Sequence, residues 1–146
     1  MENTRRKSAK GFTLLEVMAV LVIIGILAGV AAKNIFPLLV KSSVTKTKAD
    51  LKTLHESVEM FRMDTGRYPT DEEGLTALVE QPADVENWAS GGYLKSTDLP
   101  LDGWKRDFIY MTEPGNGKPF VVISFGADGE EGGEGQDADL WSTDAE

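Results

Sequence analysis

An apolar run that no small water-soluble core can absorb lies near the amino terminus and limits every later inference. Between Val17 and Ala32 there are 16 consecutive residues without a charge, and the apolar character starts at Phe12 once Glu16 is admitted, giving 21 residues. A helix needs roughly 20 such residues to cross the hydrocarbon core of a bilayer. The residues before it are basic: Arg5, Arg6, Lys7 and Lys10 against Glu2. By the positive-inside rule this leader stays cytoplasmic and the carboxyl end goes outward.

A secretory signal places its small-residue cleavage site after the apolar stretch. Here the small residue, Gly11, precedes it. A cut there removes the leader, keeps the apolar helix and exposes Phe12 as the new amino terminus. Glu16 is the anomaly, because a carboxylate inside an apolar segment costs about 2.5–3.5 kcal/mol on insertion scales. Two readings stand: an interfacial carboxylate wetted by water, or one neutralised by a Phe12 amine from the same or a neighbouring chain.

Beyond the run, Val40, Val44, Leu51, Leu54, Val58 and Phe61 continue as one stripe, with the spacing of a helix that buries one face. The pattern predicts a helix from Phe12 to about Met63, stopped at Asp64-Thr65-Gly66 with Gly66 as a left-handed cap. Gly25, Gly29 and Pro37 interrupt it, either merely tolerated in a membrane helix or permitting local melting in an assembly. His55, off the stripe, reads as a solvated residue.

The rest of the chain differs in charge. From Asp64 onward there are 19 acids against five bases within a chain of net charge −9, which argues against binding nucleic acid or anionic headgroups. Thr70-Asp71-Glu72-Glu73 fits a capping box before a short helix over 71–80, stopped by Pro82. The segments 107–113 and 119–125 read as a hairpin joined through Pro114-Gly115-Asn116-Gly117. The expected fold is α+β: a long amino-terminal helix, membrane-spanning in its first half, packed in its second on a small antiparallel sheet. The expected domains are a cleaved leader (1–11), a membrane or filament-core helix (12–40) and a head (41–146).

From Asp128 the tail carries eight acids and no base, leaving two readings: a disordered acidic tail, or a glycine-rich loop whose oxygens converge on calcium. It fails as an EF-hand, with Gly132 and Asp139 at positions five and twelve of that template. The chain has no Cys and one His, lacks a phosphate-cradling motif and offers no nucleophile with a base, so a non-enzyme is expected.

These residues carry a resemblance. K-GFTLLEVMAVLVIIGILAGVAA is similar to the class III signal of type IV prepilins and type II secretion pseudopilins. TGRYPTDEEGLTALV, GGYLK, LPLDGW and SFGADGEEGGEGQDADLW narrow it to the major pseudopilins of type II secretion, over nearly the whole mature chain. The resemblance implies cleavage after Gly11 by a prepilin peptidase, methylation of Phe12, and pairing of Glu16 with the amine of a neighbouring subunit. It also implies a structural calcium ion held by Asp128 and Asp137, with Asp139, the Phe125 carbonyl and Gln136 as further ligands.

The implied function is a structural subunit of the pseudopilus. It would polymerise from the bacterial inner membrane, with its head in the periplasm, to drive export of folded proteins across the outer membrane. Implied partners are further copies of the chain, minor pseudopilins, the peptidase, and the inner-membrane assembly platform with its ATPase. The alternatives are a type IV pilin of a surface fibre, whose head a cysteine pair usually closes, and a merely anchored calcium module. Two departures stand out: Gly103 in LPLDGW where the family usually has proline, and Gln136 where an acid is frequent.

Overall fold

The computed structural model describes residues 11–115 and 117–144. Residues 1–10 of the expected leader (1–11), Asn116 of the expected turn and the last two residues of the tail lie outside the described residues. The chain divides into two compact units, one up to Leu38 and one from Leu39 onward.

Helix α1 runs over Leu14–Thr65, 52 residues, continuous through Gly25, Gly29 and Pro37. Its start follows from Thr13, whose side-chain oxygen accepts the Glu16 N–H at 3.2 Å and whose carbonyl accepts the Glu16 and Val17 N–H groups. Its end follows from Gly66, at φ +79°, whose N–H returns to the Arg62 carbonyl at 2.8 Å. Both ends lie within two residues of the expected ones. In the first unit the helix is bare: Leu14 to Leu38 leave their large apolar side chains exposed. Its most apolar 18 residues have mean hydropathy 2.7, so by length and composition this stretch can cross a membrane.

In the second unit the stripe becomes the core. Leu51, Leu54, Val58 and Phe61 are fully buried and pack with Leu75, Leu78, Tyr93, Phe108, Tyr110, Phe120 and Val122. The hairpin is present as β1, Ile109–Thr112, and β2, Phe120–Ser124, paired antiparallel with Ile109 opposite Ile123 and Thr112 opposite Phe120. A third strand was not expected. β3, Leu140–Trp141, pairs antiparallel with β2, Ile123 opposite Trp141, and makes the order β1-β2-β3. The central strand β2 is buried at every position, while on edge strand β1 Ile109 and Met111 stay exposed. Leu140 and Trp141 of the acidic tail are therefore held by sheet pairing.

Two further expectations need correction. The capping box forms, with the Thr70 N–H bonded to Glu73 Oε2 at 2.8 Å and the Glu73 N–H to Thr70 Oγ1 at 3.2 Å. It leads into a turn and a 3-10 helix, Gly74–Leu78, instead of a helix over 71–80. Gly74 sits at φ +54° and interrupts the regular turn, leaving just enough length to bury Leu75, Ala77 and Leu78. His55 is half-buried, not a free surface residue: its ring lies 4.6 Å from that of Phe120 and its Nδ1 is 3.2 Å from Ser142 Oγ. The segment after β3, unforeseen, covers this flank of the helix.

The capping box also carries a pH dependence. The Arg67 guanidinium grips both oxygens of Glu73, at 2.7 and 2.8 Å, and reaches Asp84. This grip, with the Thr70 N–H and against partial burial, holds the Glu73 carboxyl at about 2, below its ordinary 4.5. A depressed folded-state value stabilises above the ordinary one, and the benefit is lost as pH falls through 4.5 toward 2. Glu73→Gln should cost about 1–3 kcal/mol at pH 7. Thermal unfolding of the detergent-solubilised chain should show the gap from wild type closing between pH 5 and 2.

Candidate functional site

In the amino-terminal unit, Gly11, Phe12 and Glu16 occupy the approach to α1 and its first turn. All three are exposed, Phe12 by 83 %. Gly11 and Phe12 precede the helix, so the peptide bond between them is in irregular, accessible backbone. That is the form in which an extended substrate can enter a protease site. Phe12 and Glu16 are spaced i, i+4. A carboxylate one turn into an apolar helix is well placed to meet a cation at the helix terminus of its own or a neighbouring chain.

In the second unit the candidate cation ligands lie between β2 and β3. The two arms of the loop are joined by the Ala127 N–H donating to the Gln136 carbonyl at 3.0 Å. The Phe125 carbonyl accepts the Gly129 N–H at 3.0 Å, and Asp128 Oδ1 accepts the Glu130 N–H at 3.1 Å. A Cβ on Gly133 would lie 2.5 Å from the Asp137 carbonyl oxygen. One on Gly126 would lie 2.9 Å from the carbonyl oxygens of Asp137 and Ala138. The glycines therefore let backbone oxygens crowd inward. Asp139 reaches back across the loop, its Oδ2 accepting the Gly132 N–H at 3.0 Å, while its Oδ1 is buried without a partner among the described residues. A buried, unsatisfied carboxylate oxygen costs about 1–3 kcal/mol or more and calls for a cation or a donor.

The donor set is all hard oxygen, which suits calcium. The expected ligands are only partly assembled, however. Among the described residues no three His, Cys, Asp or Glu side chains form one metal-holding group. Asp139, expected as a lesser ligand, carries the orphan oxygen, whereas Asp128 is turned onto its own loop and Gln136 contributes a carbonyl to the loop's closure.

Sequence reasoning missed the support of this loop. Arg106 Nη2 donates to the Ala127 carbonyl at 2.7 Å, and the guanidinium fills the space a side chain on Gly129 would need. Arg106 is itself placed by Asp102, a buried residue whose Oδ1 accepts the Trp104 and Arg106 N–H groups at 2.8 and 2.9 Å. Asp102 Oδ2 accepts the Ser124 hydroxyl at 2.7 Å, tying this turn to the end of β2. The signal was present in LPLDGWKR, as an acid two and four residues before groups it can cap.

Gly103 also finds its reason here. Its N–H donates to Thr47 Oγ1 on α1 at 2.9 Å, which a proline cannot do, and a Cβ there would run into the Ser43 carbonyl. Lys46 Nζ donates to the carbonyls of Leu101 and Asp102, so the turn is clasped to the helix on both sides.

Comparison with known proteins bears on the family of the chain. A family model described as "Type II secretion system (T2SS), protein G" matches residues 34–143, and the prokaryotic N-terminal methylation motif matches residues 6–32. The type II secretion system core protein G of Pseudomonas aeruginosa is 39 % identical over 143 residues, 96 % of this chain and 99 % of that protein. The protein of the same name from Vibrio cholerae is 42 % identical over 142 residues, 96 % of this chain and 94 % of its own. The crystal structure of the major pseudopilin of enterohaemorrhagic Escherichia coli superposes with a TM-score of 0.57 at 34 % identity, over 69 % of this chain and 86 % of that one. These similarities favour a secretion pseudopilin over a surface-fibre pilin. The chain, with its exposed apolar helix and its three-stranded head, belongs to the protein G family of type II secretion pseudopilins.

Proposed function

We propose that this chain is the major subunit of a pseudopilus that polymerises from the inner membrane to drive folded proteins across the outer membrane. The observation that carries the reading is the bare first half of α1 with Glu16 in its first turn. So many exposed large apolar side chains are each worth about 1.5–3 kcal/mol on burial, and only a bilayer or a bundle of like helices supplies it. The membrane holds the subunit before assembly, leader in the cytoplasm and head in the periplasm. Prepilin peptidase cuts after Gly11 and methylates Phe12. The helices of successive copies then bundle in the filament core, where Glu16 meets a neighbour's Phe12 amine and sets the register. Minor pseudopilins, an assembly platform and its ATPase complete the apparatus.

Calcium is part of this proposal. The loop 125–139 would hold it through the carboxylates of Asp139, Asp137 and Asp128 and the Phe125 carbonyl, with Gln136 as a further oxygen donor. The ion would neutralise oxygens that otherwise repel, and so fix the loop between β2 and β3.

Intact mass of the protein extracted from membranes that contain its own export machinery tests the route. A chain beginning at Phe12 with one added methyl is expected; a retained leader, or a cut beyond Ala32, would overturn it. In the same cells Glu16→Ala should leave insertion and processing intact and lower the filament yield several-fold. Normal filaments from that variant would remove the register role.

A further inference from the structure

On α1, Lys41, Lys48 and Lys52 are spaced i, i+7 and i+11, which puts them within about 40° of one another around the helix and about 17 Å from end to end. All three are exposed, and among the described residues none takes part in a salt bridge. Lys46, on another face, is occupied by Asp50 and by the 101–102 turn. The core stripe of Leu51, Leu54 and Val58 lies about a quarter-turn away, so the head does not cover the lysines.

The loop between β2 and β3 presents the complement. Glu130, Glu131 and Glu134 are exposed and among the described residues belong to no salt bridge. They are also the acids left over once the proposed calcium ligands are set aside. Three unpaired cations on a rigid helix and three unpaired anions on a closed loop of the same chain do not meet within one copy.

We infer that the Lys41-Lys48-Lys52 face of α1 is a docking surface for the Glu130-Glu131-Glu134 loop of a second copy. The inference rests on the proposed filament, which brings copies side by side. A lipid surface fits less well. Each headgroup layer is roughly 5–7 Å thick, whereas Lys52 stands about 18 Å along the helix beyond Val40, where the apolar segment ends. Opposed charges of this kind fix register and reject wrong alignments more than they add affinity.

The test uses the full chain in membranes with its assembly machinery. It exploits the absence of cysteine. A chain carrying Lys48→Cys and Glu131→Cys, treated with a bifunctional maleimide because Lys–Glu partners stand beyond the roughly 7 Å Cα limit of a disulfide, should give a ladder of covalent multimers. Each single variant should give none. Lys48→Glu with Lys52→Glu should lower filament yield several-fold, and adding Glu130→Lys with Glu131→Lys should restore it. Filaments that form without a ladder, or a loss that the swap does not restore, would overturn the inference. So would a lysine variant that forms filaments normally but no longer floats with phosphatidylglycerol vesicles, which would mark the face as lipid-binding. If the unaltered chain forms no filaments at all, the pseudopilus reading falls, and this inference with it.

Discussion

Asp102→Ala is expected to cost the head about 3–5 kcal/mol, a large part of the 5–15 kcal/mol that holds a domain of this kind. The carboxyl is 1 % exposed and serves three donors: the N–H groups of Trp104 and Arg106 and the hydroxyl of Ser124, itself fully buried. Removing the acceptor strands all three in a site that water does not reach, and each stranded group carries its desolvation cost. Asp102→Asn keeps the shape, can still accept from both N–H groups and can donate to Ser124, so its loss should be nearer 1 kcal/mol. Gly103→Pro attacks the same turn from the other side, removing the bond to Thr47 and colliding with the Ser43 carbonyl. The two changes share a loop, so their combined effect should fall short of additive. Denaturant unfolding followed by Trp fluorescence reads all of this. An Asp102→Ala loss under 1 kcal/mol would mean that the turn tolerates the stranded donors.

The contrast between this turn and the rest of the fold shows what a single sequence reveals. The end of α1 at Thr65, the reciprocal bonds of Thr70 and Glu73, and the β1–β2 pair were legible because each is decided by neighbours within a few residues. The helix stripe was legible because its period matches that of an α-helix. β3 was not, since two residues cannot show a period and their pairing depends on a loop closing over the residues between. His55 was misread for the same reason: the segment that covers it, through Ser142, is 87 residues away in the chain. Asp102 drew no reading of its own from the sequence, since Ser124, whose hydroxyl its carboxylate accepts, lies 22 residues on. At the loop, composition showed a surplus of hard oxygen donors, but which carboxylate oxygen is buried without a partner among the described residues depended on how the glycines fold the two arms together.

That distinction decides the calcium test. At a calcium concentration 100-fold above its dissociation constant, a site formed only in the folded state adds about 2.7 kcal/mol, and at 1,000-fold about 4.1. The detergent-solubilised chain should therefore melt several degrees higher with calcium and much less so with magnesium, which demands a tighter octahedron than a loop of carbonyls and carboxylates provides. Asp128→Ala should abolish the gain. Asp139→Ala should abolish it too, and it separates two causes. Among the described residues its Oδ1 is buried and unpartnered while Oδ2 holds the Gly132 N–H, so without calcium the alanine removes one orphaned oxygen, a gain, and one hydrogen bond, a loss, and the two nearly cancel. A small effect without the ion and a complete loss of the calcium gain identify a ligand. An equal loss under both conditions would identify a structural brace, and equal stabilisation by both metals would reduce the effect to charge screening over the acidic head.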